Sequence, residues 1–228
     1  SLLQAMVRAG VTQFIFSSTA AVYGNPRYTP LDEIHPKEPI NPYGRTKWMV
    51  EQILQDFDTA HGVRSVSLRY FNAAGADPAG ELGERHEPET HLIPLILQAA
   101  SGRRKAITVF GRNYSTPDGT CIRDYIHVCD LANAHVKALE WLDTKVSACE
   151  AFNLGQGKGN SVKEVVDTWV SVNGTPVKVE IGPRRAGDVE QVWADASKAA
   201  AVLNWKTERS LAESLKDAWK WQKQLSIG

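Results

Sequence analysis

Neither sign of charge prevails in this chain of 228 residues, where 26 Lys and Arg side chains face 26 Asp and Glu. That balance removes the electrostatic case for nucleic acid or an anionic membrane surface as a partner, although local basic groups can still hold one anionic ligand. Cysteine is scarce. Cys121, Cys129 and Cys149 are odd in number and lack C-x-x-C spacing, which argues against a disulfide framework or a zinc site and predicts reduced, buried thiols of a cytoplasmic protein. No apolar run approaches the length of a membrane span, and the opening residues do not form a signal peptide. Repeats and low-complexity stretches are absent too. At this length the chain buries a real core, as one domain or as one with a smaller second.

What is present alternates helix and strand. "SLLQAMVRAG" reads as the end of an amphipathic helix stopped by Gly10, and "VTQFIFSS" as a buried strand, so the chain enters a fold already in progress. The strand over 12–17 runs into a loop rich in Pro, Asn and Asp. Asn41 then caps a helix whose first turn accepts Pro42, because the missing N–H has no partner to lose. Met49, Ile53 and Phe57 recur every four residues as its buried stripe, and Gly62 ends it. The next strand is 63–72. This alternation predicts an α/β fold with a parallel sheet and crossover helices.

Beyond it, "AAGADPAGELGERHEPE" is a loop long enough to suggest function or an excursion into another domain. The helix "HLIPLILQAASG", the strand "AITVFG" and the turn-rich "RNYSTPDGTCIRD" follow. In "YIHVCDLANAHVKALEWL" a strand edge leads to a helix capped by Asp130. "EAFNLGQGKG" is strand then turn, Ser161 with Glu164 makes a capping box, and "SLAESLKDAWKWQKQL" is a last amphipathic helix.

Tyr43 and Lys47 stand one helical turn apart, so they lie one above the other on one face. A phenol needs help to act as a base at neutral pH, and a lysine one turn away supplies positive charge that favours the phenolate. Ser17, Ser18 and Thr19 offer hydroxyls at the end of a parallel strand, where open α/β sheets place their sites. A surface tyrosine with a solvated lysine is the bland alternative, and the strand-end hydroxyls weigh against it. Farther on, Arg123 lies near Tyr125, and Arg184 and Arg185 precede Asp188. Guanidinium forks suit pyrophosphate and a carboxylate suits ribose hydroxyls. His86 and His91 are five apart with Pro88 between them, so they do not share a helix face as an H-E-x-x-H zinc pair would, and no metal is expected.

Thr19, Tyr43 and Lys47 in this order, followed by "RYFNAAGADP", resemble the extended short-chain dehydrogenase/reductases. The further blocks "GERHEPETHLIP", "VFGRNY", "TPDGTCIRDYIHVCDLA", "FNLGQGKGNSV", "PRRAGDV" and "WADASKA" are similar to those of UDP-glucose 4-epimerases and span essentially the whole chain. The resemblance implies the C-terminal part of a doubly wound Rossmann-type sheet over 1–75. It also implies a small α/β domain over 76–228 that binds a UDP-sugar, with roughly 119–155 returning to the first. It further implies NAD as cofactor, a homodimer, and the interconversion of UDP-glucose and UDP-galactose through a 4-keto intermediate.

By that resemblance Thr19, Tyr43 and Lys47 are catalytic, and Ser17, Tyr43, Lys47, Tyr70 and Phe71 hold NAD. Thr19, Asn72, His91, Leu92, Thr108, Phe110, Arg123, Tyr125, Arg185, Asp188 and Val192 contact the nucleotide sugar, with Phe110 stacking on uracil. Val192 falls where the family borders the sugar 2-substituent, and a valine there opens space for an N-acetyl group.

One departure is large. The family's opening G-x-x-G-x-x-G turn is not among these residues, and Gly155, Gly157 and Gly159 have the wrong spacing and read as a turn before a capped helix. The chain is therefore expected to be the C-terminal two-thirds of an epimerase, lacking roughly 100 residues at about 30 per βαβ unit, and a poor NAD binder alone. Sugar-nucleotide 4,6-dehydratases and decarboxylases place an acid directly after, or two residues after, the catalytic Thr. Ala20 and Ala21 fill those places here. A UDP-arabinose or UDP-xylose 4-epimerase stays open, as does an inactive fragment that at most binds a nucleotide sugar.

Overall fold

The computed structural model describes residues 1–185 and 187–225; Ala186, inside the "PRRAGDV" block, and the last three residues of the expected second domain lie outside the described residues. In chain order, α1 (Leu2–Arg8), β1 (Gln13–Thr19), α2 (Pro42–His61) and β2 (Arg64–Tyr70) alternate. Then come β3 (Asn72–Ala74), α3 (Leu92–Ala100), β4 (Ile107–Phe110), β5 (Ile122–Arg123) and β6 (Tyr125–His127). Helix α4 (Val128–Asp143), β7 (Cys149–Leu154), β8 (Asn160–Ser161) and α5 (Val162–Asn173) follow, and β9 (Val179–Gly182), β10 (Gln191–Val192), α6 (Ser197–Leu203) and α7 (Leu211–Gln224) complete the order. The chain divides into two compact units.

Unit one comprises Ser1–Phe71, Leu131–Gly155 and Ala194–Lys206. The sequence reading drew the returning segment at roughly 119–155 and did not foresee the return of 194–206. Its sheet is parallel in the order β1-β2-β7, in register from Gln13↔Arg64 to Thr19↔Tyr70 and from Ser65↔Cys149 to Tyr70↔Leu154. Parallel neighbours need crossovers, and α2 supplies the one between β1 and β2. The middle strand is buried from Ser65 to Arg69, as a strand covered on both faces must be. Leu3, Met6, Leu54 and Val63 form a core cluster with Phe14, Phe16, Val50 and Phe57 packed against it.

Helix α2 starts and stops as the sequence predicts. The Asn41 side chain accepts from the Gly44 N–H at 2.8 Å, Pro42 occupies the first turn, and Gly62 ends the helix in the left-handed region at φ 66°. Its buried face differs from the predicted stripe. Met49 and Ile53 are 54% and 42% exposed, while Gly44, Glu51 and Leu54 are buried. Hydrophobic spacing misses this face because its central residue is a carboxylate, which burial permits only with a partner. Gly44 is fixed by close approach, since a Cβ there would run into the Ala21 carbonyl. The first turn of α2 thus lies against the turn that follows β1.

Unit two comprises Asn72–Asp130, Gln156–Trp193 and Thr207–Gly228. Residues 63–72, read as one strand, are two elements. Beyond Tyr70 the chain leaves the first sheet, and Asn72 starts β3, which pairs in parallel with β6. Strands β4 and β9 form a second parallel pair, and β5 lies between β10 and β8. Helices α3, α5 and α7 contribute Ile93, Ile96, Leu97, Val165, Trp169, Leu211 and Leu215 to one core cluster. The Ser161–Glu164 capping box is formed, and a second one, Ser210–Glu213, starts α7. Asp130, expected to cap α4, is instead its third residue, and its carboxylate accepts from the Glu208 and Arg209 amides at 3.2 and 3.1 Å. All three cysteines are free thiols. Cys121 is buried as expected, whereas Cys129 and Cys149 are half-buried, Cys149 because it opens β7 at the end of the β1-β2-β7 order.

Candidate functional site

In unit one the pieces meet at the carboxyl end of β1. Thr19 closes the strand and is buried, and its Oγ1 accepts from the Ala21 N–H at 3.2 Å, which starts the following turn. Tyr43, in the first turn of α2, is 56% exposed. Lys47, one turn on, donates from Nζ to the Ser17 carbonyl at 2.9 Å. Its ammonium lies 5.0 Å from the Phe16 ring centroid and 5.7 Å from that of Tyr43, within reach of a cation–π attraction to either. Strand end and helix start therefore converge through Gly44, so the charge of Lys47 stands beside the phenol.

The Ser17 hydroxyl is engaged as well. Nδ1 of His135 faces the Leu131 carbonyl at 2.8 Å and Nε2 faces the Ser17 hydroxyl at 3.2 Å. A carbonyl only accepts, so Nδ1 carries the proton, and in the neutral ring the Ser17 O–H donates to Nε2. Tyr70, half-buried, ends β2 opposite Thr19, and the half-buried Phe71 follows it.

Sequence reasoning missed what lies beneath. Ser18 donates to Glu51, and Arg69 forms a forked pair with the same carboxylate, the two side chains being 4% and 6% exposed. Arg69 also donates to the Tyr23 hydroxyl at 3.0 Å, which in turn donates to Asn153 Oδ1 at 2.6 Å. Burial pushes the Tyr23 phenol up to about 12, with Arg69 pulling the other way. Burial opposes the charge on Arg69, but its bonds to Glu51 and the neighbouring Tyr23 outweigh that, so its pKa is raised. The only sequence signal was Glu51, one turn beyond Lys47 on the same helix.

In unit two, the pairing of β5 with β10 sets Arg123 opposite Val192. Arg123 also faces Asp188 at 3.6 Å. The Arg185 guanidinium lies 3.8 Å from the centroid of Phe110, at the end of β4, so one face of the ring expected to stack on uracil carries a cation here. Thr108 is half-buried on the same strand. Arg184 is held elsewhere, over the Tyr114 ring at 4.0 Å and against Asn113.

Asn72 pairs in register with Tyr125. Tyr125 itself is packed in the core cluster, where burial pushes its phenol pKa up. His91 caps α3, Leu92 begins it, and the His91 imidazole bonds Glu84. Unit two thus gathers Arg123 and Val192 on neighbouring strands, with Asp188 in the loop before β10, and pairs Phe110 with Arg185. The partners of His91 carry no signal in the sequence.

Residues 1–155 match the model of the NAD dependent epimerase/dehydratase family. A UDP-glucose 4-epimerase of Rhizobium meliloti (strain 1021) is 50% identical over 228 residues, covering all of this chain and 69% of that protein. One from Rhizobium leguminosarum bv. trifolii is 52% identical over 221 residues, covering 97% of this chain and 67% of its own length. The crystal structure of UDP-glucose-4-epimerase from Stenotrophomonas maltophila, with bound NAD and formylated UDP-arabinopyranose, aligns at a TM-score of 0.96 and 43% identity, covering 99% of this chain and 68% of that one. The chain thus spans about two thirds of the length of the relatives it matches.

Proposed function

This chain belongs to the NAD-dependent epimerase/dehydratase family, and from that premise we propose that it carries the base and the sugar-nucleotide site of a UDP-glucose 4-epimerase. The observation that carries the reading is the arrangement in unit one: Thr19 at the end of β1, with Tyr43 beside a Lys47 ammonium tied to the Ser17 carbonyl. The Tyr43 oxygen takes the proton of the sugar 4-hydroxyl as the alcohol becomes a ketone, and gives it back on return. Lys47 offers positive charge beside an oxygen that must become anionic. Thr19 hydrogen-bonds the same sugar oxygen and orients it toward Tyr43. Ala20 and Ala21, next to Thr19, are methyl side chains without an acid, which favours inversion over elimination.

The donor set fits the nicotinamide end of NAD. The Lys47 ammonium and the Tyr43 and Ser17 hydroxyls suit ribose hydroxyls, and the half-buried rings of Tyr70 and Phe71, where β2 ends, suit a flat ring. When bound, NAD supplies reversible acceptance of the hydrogen at sugar C4. In unit two the guanidinium groups of Arg123 and Arg185 suit a diphosphate, and Asp188 suits ribose hydroxyls. Asn72, His91, Leu92, Thr108, Phe110 and Tyr125 complete the nucleotide contacts, and Val192 borders the sugar.

No helix of the described residues is long and apolar enough to cross a membrane. The three free thiols support a cytoplasmic setting. Exposed Met49 and Ile53 on α2, and Val136 and Leu139 on α4, support a homodimer through these helices.

Tyr43→Phe tests the reading. In the complete cofactor-loaded enzyme it should cut UDP-galactose turnover by about 10²–10⁴-fold while leaving UDP binding by calorimetry nearly intact. A variant that keeps half its activity removes Tyr43 as the base.

A further inference from the structure

The loop over 84–91 belongs to unit two and is pinned at its start by the Trp221 indole, which donates to the Glu84 carbonyl at 3.1 Å. Its spacing gave no zinc pair, yet its folding brings four side chains to one point. The ligating atoms of Glu84, His86, Glu89 and His91 all lie within 4.8 Å of one another. Nδ1 of both histidines faces Glu84 Oε1, that of His86 at 3.0 Å. The same two nitrogens stand 3.9 and 4.0 Å from the Glu89 oxygens. Ligands about 2.0–2.2 Å from a tetrahedral ion are roughly 3.4 Å apart, so these separations need only small adjustment.

Glu89 makes the cluster more than a set of surface ion pairs. Its side chain is 5% exposed, and its Oε1 accepts from the Thr90 and His91 amides at 2.7 and 2.8 Å. The carboxylate is thereby held in one orientation. Its Oε2 makes no hydrogen bond among the described residues and is aimed at His86. A cation between the two imidazoles would draw on this second oxygen as a ligand.

We propose that Glu84, His86, Glu89 and His91 form a binding site for one divalent transition-metal ion of the Zn²⁺ or Co²⁺ type. Two imidazole nitrogens and two carboxylate oxygens suit such borderline ions, whereas Mg²⁺ and Ca²⁺ take oxygen ligands. Both imidazoles must be unprotonated to ligate, so affinity falls as the pH is lowered.

The test uses the 228-residue protein freed of metal with a chelator and titrated with Co²⁺, followed by its visible absorption. One equivalent should bind with the intense bands of tetrahedral coordination, be displaced by Zn²⁺, and resist excess Mg²⁺ and Ca²⁺. His86→Ala and, separately, Glu89→Gln should each weaken Co²⁺ at least about tenfold with an unchanged circular dichroism spectrum. His61→Ala, in unit one, should leave binding as it was. The proposal is overturned if no saturable site forms below about 1 mM, if either loop variant keeps the parent affinity, or if Mg²⁺ competes equally.

Discussion

Replacing Glu51 by Gln isolates the network beneath the base. Arg69 and Glu51 are 4% and 6% exposed, and the raised pKa of Arg69 keeps it charged at any working pH. The substitution therefore leaves a buried guanidinium facing an amide. Removing one member of a buried pair costs about 3–5 kcal/mol, because the survivor is desolvated without compensation. The amide retains one acceptor and the Tyr23 hydroxyl still accepts from Arg69, which places the loss near the lower end, about 3 kcal/mol.

At about 2–4 °C per kcal/mol for a chain of this size, Tm should fall by roughly 6–12 °C. Urea unfolding followed by far-ultraviolet circular dichroism should show the midpoint falling with the slope unchanged. The double variant Glu51→Leu/Arg69→Met removes both charges and should recover most of the loss. Asp167→Ala, which breaks the exposed Lys163–Asp167 pair, should change little and serves as the control. A loss below about 1 kcal/mol for Glu51→Gln, or a double variant no better than the single, would refute the argument.

Gly44→Ala should push the first turn of α2 off the Ala21 carbonyl, at about 1–3 kcal/mol in urea unfolding and with a larger loss in kcat than in substrate affinity; parent-like values for both would refute the close-approach argument. Burial lowers the pKa of His127, partly offset by its bond to Asp217. Its contribution to stability is therefore full above the unfolded value of about 6.5 and is lost as the pH falls toward the folded pKa. The difference in urea midpoint between the parent and His127→Gln should shrink from pH 7.5 to 5.5, and a constant difference would contradict the shift. Val192→Tyr should lower kcat/KM for UDP-N-acetylglucosamine relative to UDP-glucose in the complete enzyme by at least about tenfold; an unchanged ratio, or a parent that rejects the acetylated sugar, would remove Val192 as the specificity determinant.

Much of this protein was written in local order. Strand–helix alternation gave the parallel sheet, Asn41, Pro42 and Gly62 bounded α2, and Ser161 with Glu164 started α5, because caps and turns are settled within a few residues. The Tyr43–Lys47 spacing was legible for the same reason: one turn of helix sets two side chains on one face. Quoted blocks in order carried the family.

Contacts between distant segments were not legible. The buried face of α2 escaped hydrophobic spacing because Glu51 can be buried only with Arg69, 18 residues away on β2. Residues 63–72 read as one strand, and only pairing partners divide it, with β7 taking 65–70 and β6 taking 72–74. Phe110 and Arg185, 75 apart, meet because β4 pairs with β9 just before the arginine pair. The two histidines of the 84–91 loop showed no metal spacing, and the fold of the loop placed them beside two carboxylates. Sequence by itself determined what depends on neighbours along the chain, namely helices, caps and the tyrosine–lysine pair. Tertiary structure alone decided which charges are buried and what faces them, because the burial and pairing that settle both come from segments remote in the chain.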